Sequence, residues 1–349
     1  MALLTPGSFT YAEWALRHDK DGKISTLVNM LSQCNSVIDD MLTVECQSGN
    51  AFEFTQVVKL PTPSRRIYNS GVARSQGGVA KLVATCSQYA DWATIDKDLA
   101  ELGGNLAQLR ANEVQLHMQG LGQQLASDLF YANRSTDPTA FTGFANIYNT
   151  VNPATSPIAK NVLDCLGTGN TNTSLWLINW GPTAIHAIFP KGTQAGLEHR
   201  DMGMLPITDG ATPAQEFLAY RDWLSWKIGL AIHDWRQAVR ACNIDVAALN
   251  TGGAANLITI LAKMVHRLPV QPSGVGPVNT SDSTPDKIVM GRPVFYANRS
   301  ILEYLDIQAA NKSNVLLQQR EWDGMTVTTY RGIPIRCVDA LLDTESRVV

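Results

Sequence analysis

Leu106, Leu109, Val114, Leu116, Leu121, Leu125 and Leu129 recur at mainly helical spacing, with Gln108, Arg110, Gln115, Gln119 and Gln123 between them, and the pattern continues through Asn133. Apolar residues three to four positions apart share one face of a helix. About 30 residues at about 1.5 Å each make a rod of roughly 45 Å. It is the strongest helix signal in the chain. Gly103-Gly104 precedes it and Asp137-Pro138 ends it.

A second constraint lies upstream. Residues 50–60 (Asn-Ala-Phe-Glu-Phe-Thr-Gln-Val-Val-Lys-Leu) and 78–86 (Gly-Val-Ala-Lys-Leu-Val-Ala-Thr-Cys) are β-rich and partly alternating, and the first run stops at Pro61-Thr-Pro63. Residues 64–76 between them read as a polar tip carrying Arg65, Arg66, Asn69, Gly71 and Arg74. An isolated two-stranded hairpin is marginally stable in water, so this one needs another surface to lie on. Lys59 and Lys81 sit on the arms, whereas the tip has only arginines. A guanidinium stays protonated and pairs well with carboxylates, which makes Arg65, Arg66 and Arg74 the candidate contacts to a neighbouring chain.

Further along, residues 174–180 and 184–189 read as strands around the turn Gly181-Pro182, and 217–244 as long strands of a half-buried sheet. Residues 254–268 are a helix candidate, 269–285 a Pro/Gly/Ser-rich connector, and 288–296, 299–310 and 330–338 read as strand, helix and strand. No internal repeat is visible.

Composition narrows the function. Hydrophobic residues make up 45% and charged residues 17%, which fits a folded chain with much uncharged surface for packing against neighbours. The net charge is -3 and no run of Lys or Arg occurs, so a dedicated nucleic-acid binder is disfavoured. No apolar stretch is long enough for a signal peptide or a membrane span, and the expectation is a soluble protein made in the cytoplasm. The six cysteines, Cys34, Cys46, Cys86, Cys165, Cys242 and Cys337, form no CxxC or Cys/His cluster and read as free, mostly buried thiols. Cys46 and Cys86 are symmetric in number about residue 66, so simple antiparallel pairing puts them opposite one another at the hairpin base, reduced in the cytoplasm.

No constellation calls for chemistry. Gly167-Thr-Gly169-Asn-Thr-Asn172 lacks the Lys-Ser/Thr of a phosphate loop and precedes a strand instead of a helix, so it reads as a plain loop. His233-Asp234 pairs an imidazole with a carboxylate, but neighbours on a strand point to opposite faces and no nucleophile motif stands nearby. His117, His186, His199 and His266 show no metal-ligand spacing. Trp176, Trp180, Trp223, Trp226 and Trp235 read as core and interface packing. No catalytic residue, metal site or cofactor is expected.

The order of arm, long hairpin, single long helix and mixed sheet layers resembles the HK97-type major capsid proteins of tailed bacteriophages. Residues 52–89 look like their extended loop (E-loop) and 99–133 like their spine helix. Trp176-Leu-Ile-Asn-Trp-Gly-Pro182, Phe189-Pro-Lys-Gly192, Tyr220-Arg-Asp222, Trp226-Lys-Ile-Gly-Leu230, Asp234-Trp-Arg236 and Tyr330-Arg-Gly-Ile-Pro-Ile335 are similar to phrases in the capsid proteins of short-tailed phages related to epsilon15 and BPP-1.

The resemblance implies an α+β, HK97-like fold. Its parts would be an N-terminal arm (1–45), the E-loop hairpin (46–88), a peripheral domain (89–150 and 174–243, spine helix 104–133) and an apical domain (244–349). The strand order is expected to be permuted, because 217–243 resembles late peripheral strands yet precedes 288–310 and 330–338, which resemble the apical core. The function implied is a non-enzymatic shell of hexamers and pentamers with a portal at one vertex. It would be assembled in the host cytoplasm, become part of the virion, and enclose double-stranded DNA without sequence-specific binding. A separate scaffolding protein is implied, because only about 45 residues precede the hairpin; a decoration protein is a further partner of this class, and no membrane is involved. Some relatives weld subunits by a Lys-to-Asn isopeptide bond from a lysine at the loop tip, and this tip carries none. The rival readings are an encapsulin-like compartment shell and an enzyme with an unrecognised site.

Overall fold

The computed structural model describes residues 33–102, 105–208, 216–250, 256–269, 291–310, 317–322 and 325–349. Most of the expected arm and nearly all of the connector lie outside these residues. The chain divides into two compact units, and the division falls inside three continuous elements, β3 (Gly78–Asp96), α1 (Leu106–Tyr131) and β8 (Glu216–Ile232).

The first unit holds residues 88–125 and 194–227. It contains the far end of β3 (Gly78–Asp96), most of helix α1 (Leu106–Tyr131), and a ribbon of β7 (Leu197–Thr208) against β8 (Glu216–Ile232). The Asp96 carboxylate accepts from the Asp98 and Leu99 amides and so starts a short helix, Lys97–Glu101. Ala100, Ile95 and Leu109 form a small apolar core with Leu106 and Tyr220. Arg110 of α1 binds the Asp222 carboxylate at 2.9 Å and Asp201 at 2.5 Å, and its guanidinium lies over Tyr220. Trp92 meets Trp223 at 4.4 Å and is capped by Arg221. The register of β7 on β8 shifts between Asp201 and Met204, where Gly203 adopts a positive φ and donates its amide to Asp201.

The second unit holds residues 34–87, 126–193 and 228–349. Its centre is β5 (Asn172–Trp180), buried at every position. β5 pairs antiparallel with β9 (Ala238–Asp245) and β10 (Arg292–Ala297), and parallel with β6 (Ile185–Phe189). A strand covered on both faces reads as a continuous apolar run, as Leu-Trp-Leu-Ile does here. On one face Leu175 and Leu177 pack with helices α2 (Leu257–Arg267) and α3 (Arg299–Ala310) through Leu257, Leu261, Met264, Ile301 and Leu305. On the other, Trp176 meets Phe130, Phe144 and Tyr148 with ring centroids 5.8–5.9 Å apart.

The sheet continues from β10 to β13 (Ile333–Cys337), β12 (Met325–Tyr330) and β11 (Leu317–Trp322) on one side, and from β6 to β8, β3 and β2 (Ala51–Lys59) on the other. β1 (Thr43–Glu45) joins β6 and β4 (Val162–Asp164) joins β9. This mixed order departs from chain order and is consistent with the permuted arrangement. The stretch 217–243 is divided: 217–227 lies with the α1 unit, whereas β9 sits in the buried sheet under α2 and α3. Residues 330–338, expected as one strand, are the end of β12, a turn and β13. Arg331 (φ 50°) and Gly332 (φ 81°) are both left-handed, the pattern of a type I′ turn joining Tyr330 to Ile333.

An ionic hub joins β9, β5, α1 and the C-terminal segment. Arg240 pairs with Glu345 at 2.9 Å, both nearly inaccessible. Glu345 also accepts from Ser174 at 2.5 Å and Tyr131 at 2.6 Å, and Arg240 donates to the Tyr148 carbonyl and stacks on Trp176. Among the described residues no helix is long and apolar enough to cross a membrane.

Candidate intersubunit interface

The hairpin is β2 and the start of β3, antiparallel with Ala51 opposite Thr85 and Val57 opposite Val79. The register slips between Val57 and Lys59, where the paired strands end and the tip begins. Ser70 donates to the Ile67 carbonyl, and Asn69 has φ 64°, so Ile67–Ser70 closes as a tight turn with Asn in the left-handed position. Arg65, Arg66 and Arg74 are exposed and make no ion pair among the described residues.

The tip is less polar than its arginines suggest. Leu60, Ile67 (80% exposed), Tyr68 (93%) and Val72 stand in solvent, and Val57, Val58, Val79 and Val83 continue the apolar surface down the arms. β2 is also the last strand on its side of the sheet. An edge strand with exposed apolar side chains is a template for another chain, and Arg beside Tyr and aliphatic groups is the composition of a protein interface. Lys81, expected on an arm, pairs with Glu53 across the hairpin at 2.5 Å.

Only the root is packed. Phe52, Cys46, Cys86, Ile188 and Ala231 form a core cluster with Phe54 against it. His186 and His233 stack at 4.9 Å, and Phe52 and Phe54 lie on them. Gln56 donates to the His233 carbonyl at 2.5 Å, and Arg134 bonds Thr85. Gly229 lets β8 approach β3: a Cβ there would stand 2.5 Å from the Thr85 carbonyl oxygen. An open cavity of about 240 Å³ lined by Phe54, Leu82, Thr85, Leu230 and Trp235 lies against this part of the hairpin.

Cys46 and Cys86 do meet, with sulfurs 3.5 Å apart, but not by the expected register. The strands pair four residues out from symmetry about residue 66, so Asn50 faces Cys86, and Cys46 returns beside it after the Gly49 turn. His233 and Asp234 lie past the end of β8 and not on a strand, so strand alternation does not separate them: Asp234 caps the following turn and holds Arg236, while His233 faces Phe54. His117 binds Asp91 and Glu113, and His199 binds Asp222. Among the described residues no three metal-ligating side chains converge.

Burial first, then the neighbouring His233, pushes His186 down to about 4, and burial lowers His233 too. A histidine with its folded value depressed below the unfolded value of about 6.5 contributes fully above that value. Its contribution is lost as pH falls from about 6.5 toward 4, by up to about 3 kcal/mol for His186. Urea titrations at pH 7.5 and 5 are therefore expected to show a loss in the native chain that the His186→Leu variant largely lacks; equal losses would contradict this.

A long helix, a wide mixed sheet and a projecting hairpin define the HK97-like class of viral shell subunits. The family described as Major capsid protein GP7 matches residues 19–349, and the chain belongs to it. The bacteriophage epsilon15 structure is similar at 29% identity, with a TM-score of 0.78 over 100% of this chain and 99% of that one. The capsid of bacteriophage JBD30 (9% identity, TM-score 0.47, 97% and 99% covered) is also similar, as is the SrpI encapsulin of Synechococcus elongatus PCC 7942 (11%, 0.43, 70% and 97%). A search of curated proteins gives no match. The chain is thus a structural subunit of a phage capsid, and the encapsulin likeness is the weaker one.

Proposed function

We propose that this subunit closes an icosahedral shell of hexamers and pentamers around double-stranded DNA, with the hairpin tip as the clasp between subunits. The observation that carries the clasp is a tip exposing Ile67, Tyr68 and Val72 beside Arg65, Arg66 and Arg74, on a hairpin packed only at its root. Such a surface gains by burial against a neighbour, with the arginines pairing to its carboxylates. Residues 46–88 then serve as the extended loop, 89–150 and 174–243 as the peripheral domain and 244–349 as the apical domain. A portal, a separate scaffolding protein and a decoration protein complete the particle, which is assembled in the host cytoplasm, and the subunit itself has no catalytic role. Sedimentation of purified chain at high concentration, with and without a co-expressed scaffolding protein, tests this reading. Closed particles are expected, and a monomer under every condition would overturn it.

A further inference from the structure

We propose that Cys46 and Cys86 are a modification site, forming a disulfide that staples the root of the hairpin when the protein meets a low-molecular-weight disulfide. The two sulfurs are 3.5 Å apart in the reduced chain, and a disulfide bond is about 2.05 Å, so closure needs a movement of about 1.5 Å.

The backbone around them is held in place. Cys46 donates its amide to the Phe189 carbonyl at 2.8 Å, and Cys86 donates to Asn50 while accepting from the Asn50 side chain at 3.0 Å. Gly229 presses on the Cys86 backbone, where a Cβ would come within 2.9 Å of Cys86 Cα. Each thiol is therefore offered the other as a fixed partner.

The site also suits a change that waits for its surroundings. Cys46 is 2% and Cys86 8% exposed. Burial raises both thiols above their ordinary range, so little thiolate exists at neutral pH and reaction is slow while the surroundings are reducing. Outside a cell the balance favours the bond. A thiolate, Cys86 first as the more accessible, attacks one sulfur of the oxidant and expels one thiolate from it. The second cysteine then attacks the resulting mixed disulfide and expels nothing but the oxidant's other half. Two protein thiols lose two electrons and two protons, and the oxidant leaves as two thiols. The bond closes a loop spanning 40 positions that contains the entire hairpin, leaving the tip free to dock.

The test uses the full chain, purified under reductant, exchanged into 2-hydroxyethyl disulfide at pH 8 and then nicked at the tip arginines with trypsin. The expected result is an internal Cys46–Cys86 link in the peptide map, with nicked halves that stay joined until reductant is added. Cys46→Ser or Cys86→Ser should each abolish the link. Adducts on Cys46 or Cys86 without an internal bond, or free thiols at both while exposed Cys34 is modified, would overturn the proposal. Because a monomer suffices, a failure here is distinct from a failure to assemble.

Discussion

Replacing Arg240 or Glu345 by Ala is expected to destabilise the folded subunit by about 3–5 kcal/mol, because either change leaves the other charge buried and unpaired. The pair lies 2.9 Å apart with both side chains almost without solvent contact. Loss of Glu345 also removes the acceptor of the Ser174 and Tyr131 hydroxyls, and loss of Arg240 removes the side-chain donor to the Tyr148 carbonyl and uncovers Trp176. Since a domain typically has about 5–15 kcal/mol in all, either variant should unfold at far lower denaturant, or accumulate insoluble. The double change Arg240→Met with Glu345→Leu should recover much of the loss, because no charge is then left unpaired. Urea unfolding followed by circular dichroism decides: single variants within about 1 kcal/mol of the parent would show that the hub does not hold the sheet to the C-terminal segment.

Deleting residues 61–76 should have the opposite signature, an intact subunit that fails to assemble. The tip side chains are exposed and the packed residues of the hairpin lie at its root, so the cut removes no core. Particle yield is expected to fall by about tenfold or more, because the deletion removes Arg, Tyr and aliphatic groups of the kind that dominate interface energy. Reversing charge with Arg65→Glu and Arg66→Glu should act the same way more weakly, and the defect should depend on salt. Parent-like yield from both variants would make the tip a passive solvated loop.

The features legible in the sequence were those with local signatures. Helical periodicity placed α1 within two residues of its ends, and the Pro61 boundary and the β-rich runs placed the hairpin. β7 was missed because Glu198, His199, Arg200 and Asp201 give no apolar alternation: its residues are mostly exposed and it is held by pairing to β8. The Arg240–Glu345 hub could not be read, since its partners stand 105 positions apart and each looks like an ordinary surface charge. The turn at Arg331-Gly332 has a signal in its glycine, but a strand-like run on either side obscures it. At the tip the arginines and the surrounding polar residues mask Ile67, Tyr68 and Val72, whose exposure only the structure shows. Simple antiparallel numbering does not contain the Gly49 turn, which brings Cys46 back beside the strand from another direction.

The most direct measurement is a cryo-electron microscopy map of purified particles at side-chain resolution. It should show a closed icosahedral shell in which Tyr68, Ile67 and the arginines at 65, 66 and 74 of each subunit are buried against an adjacent subunit, with carboxylates opposite the guanidinium groups. A closed shell in which the tip stands in solvent at every symmetry-distinct position would contradict the clasp and leave the shell to be held by other surfaces.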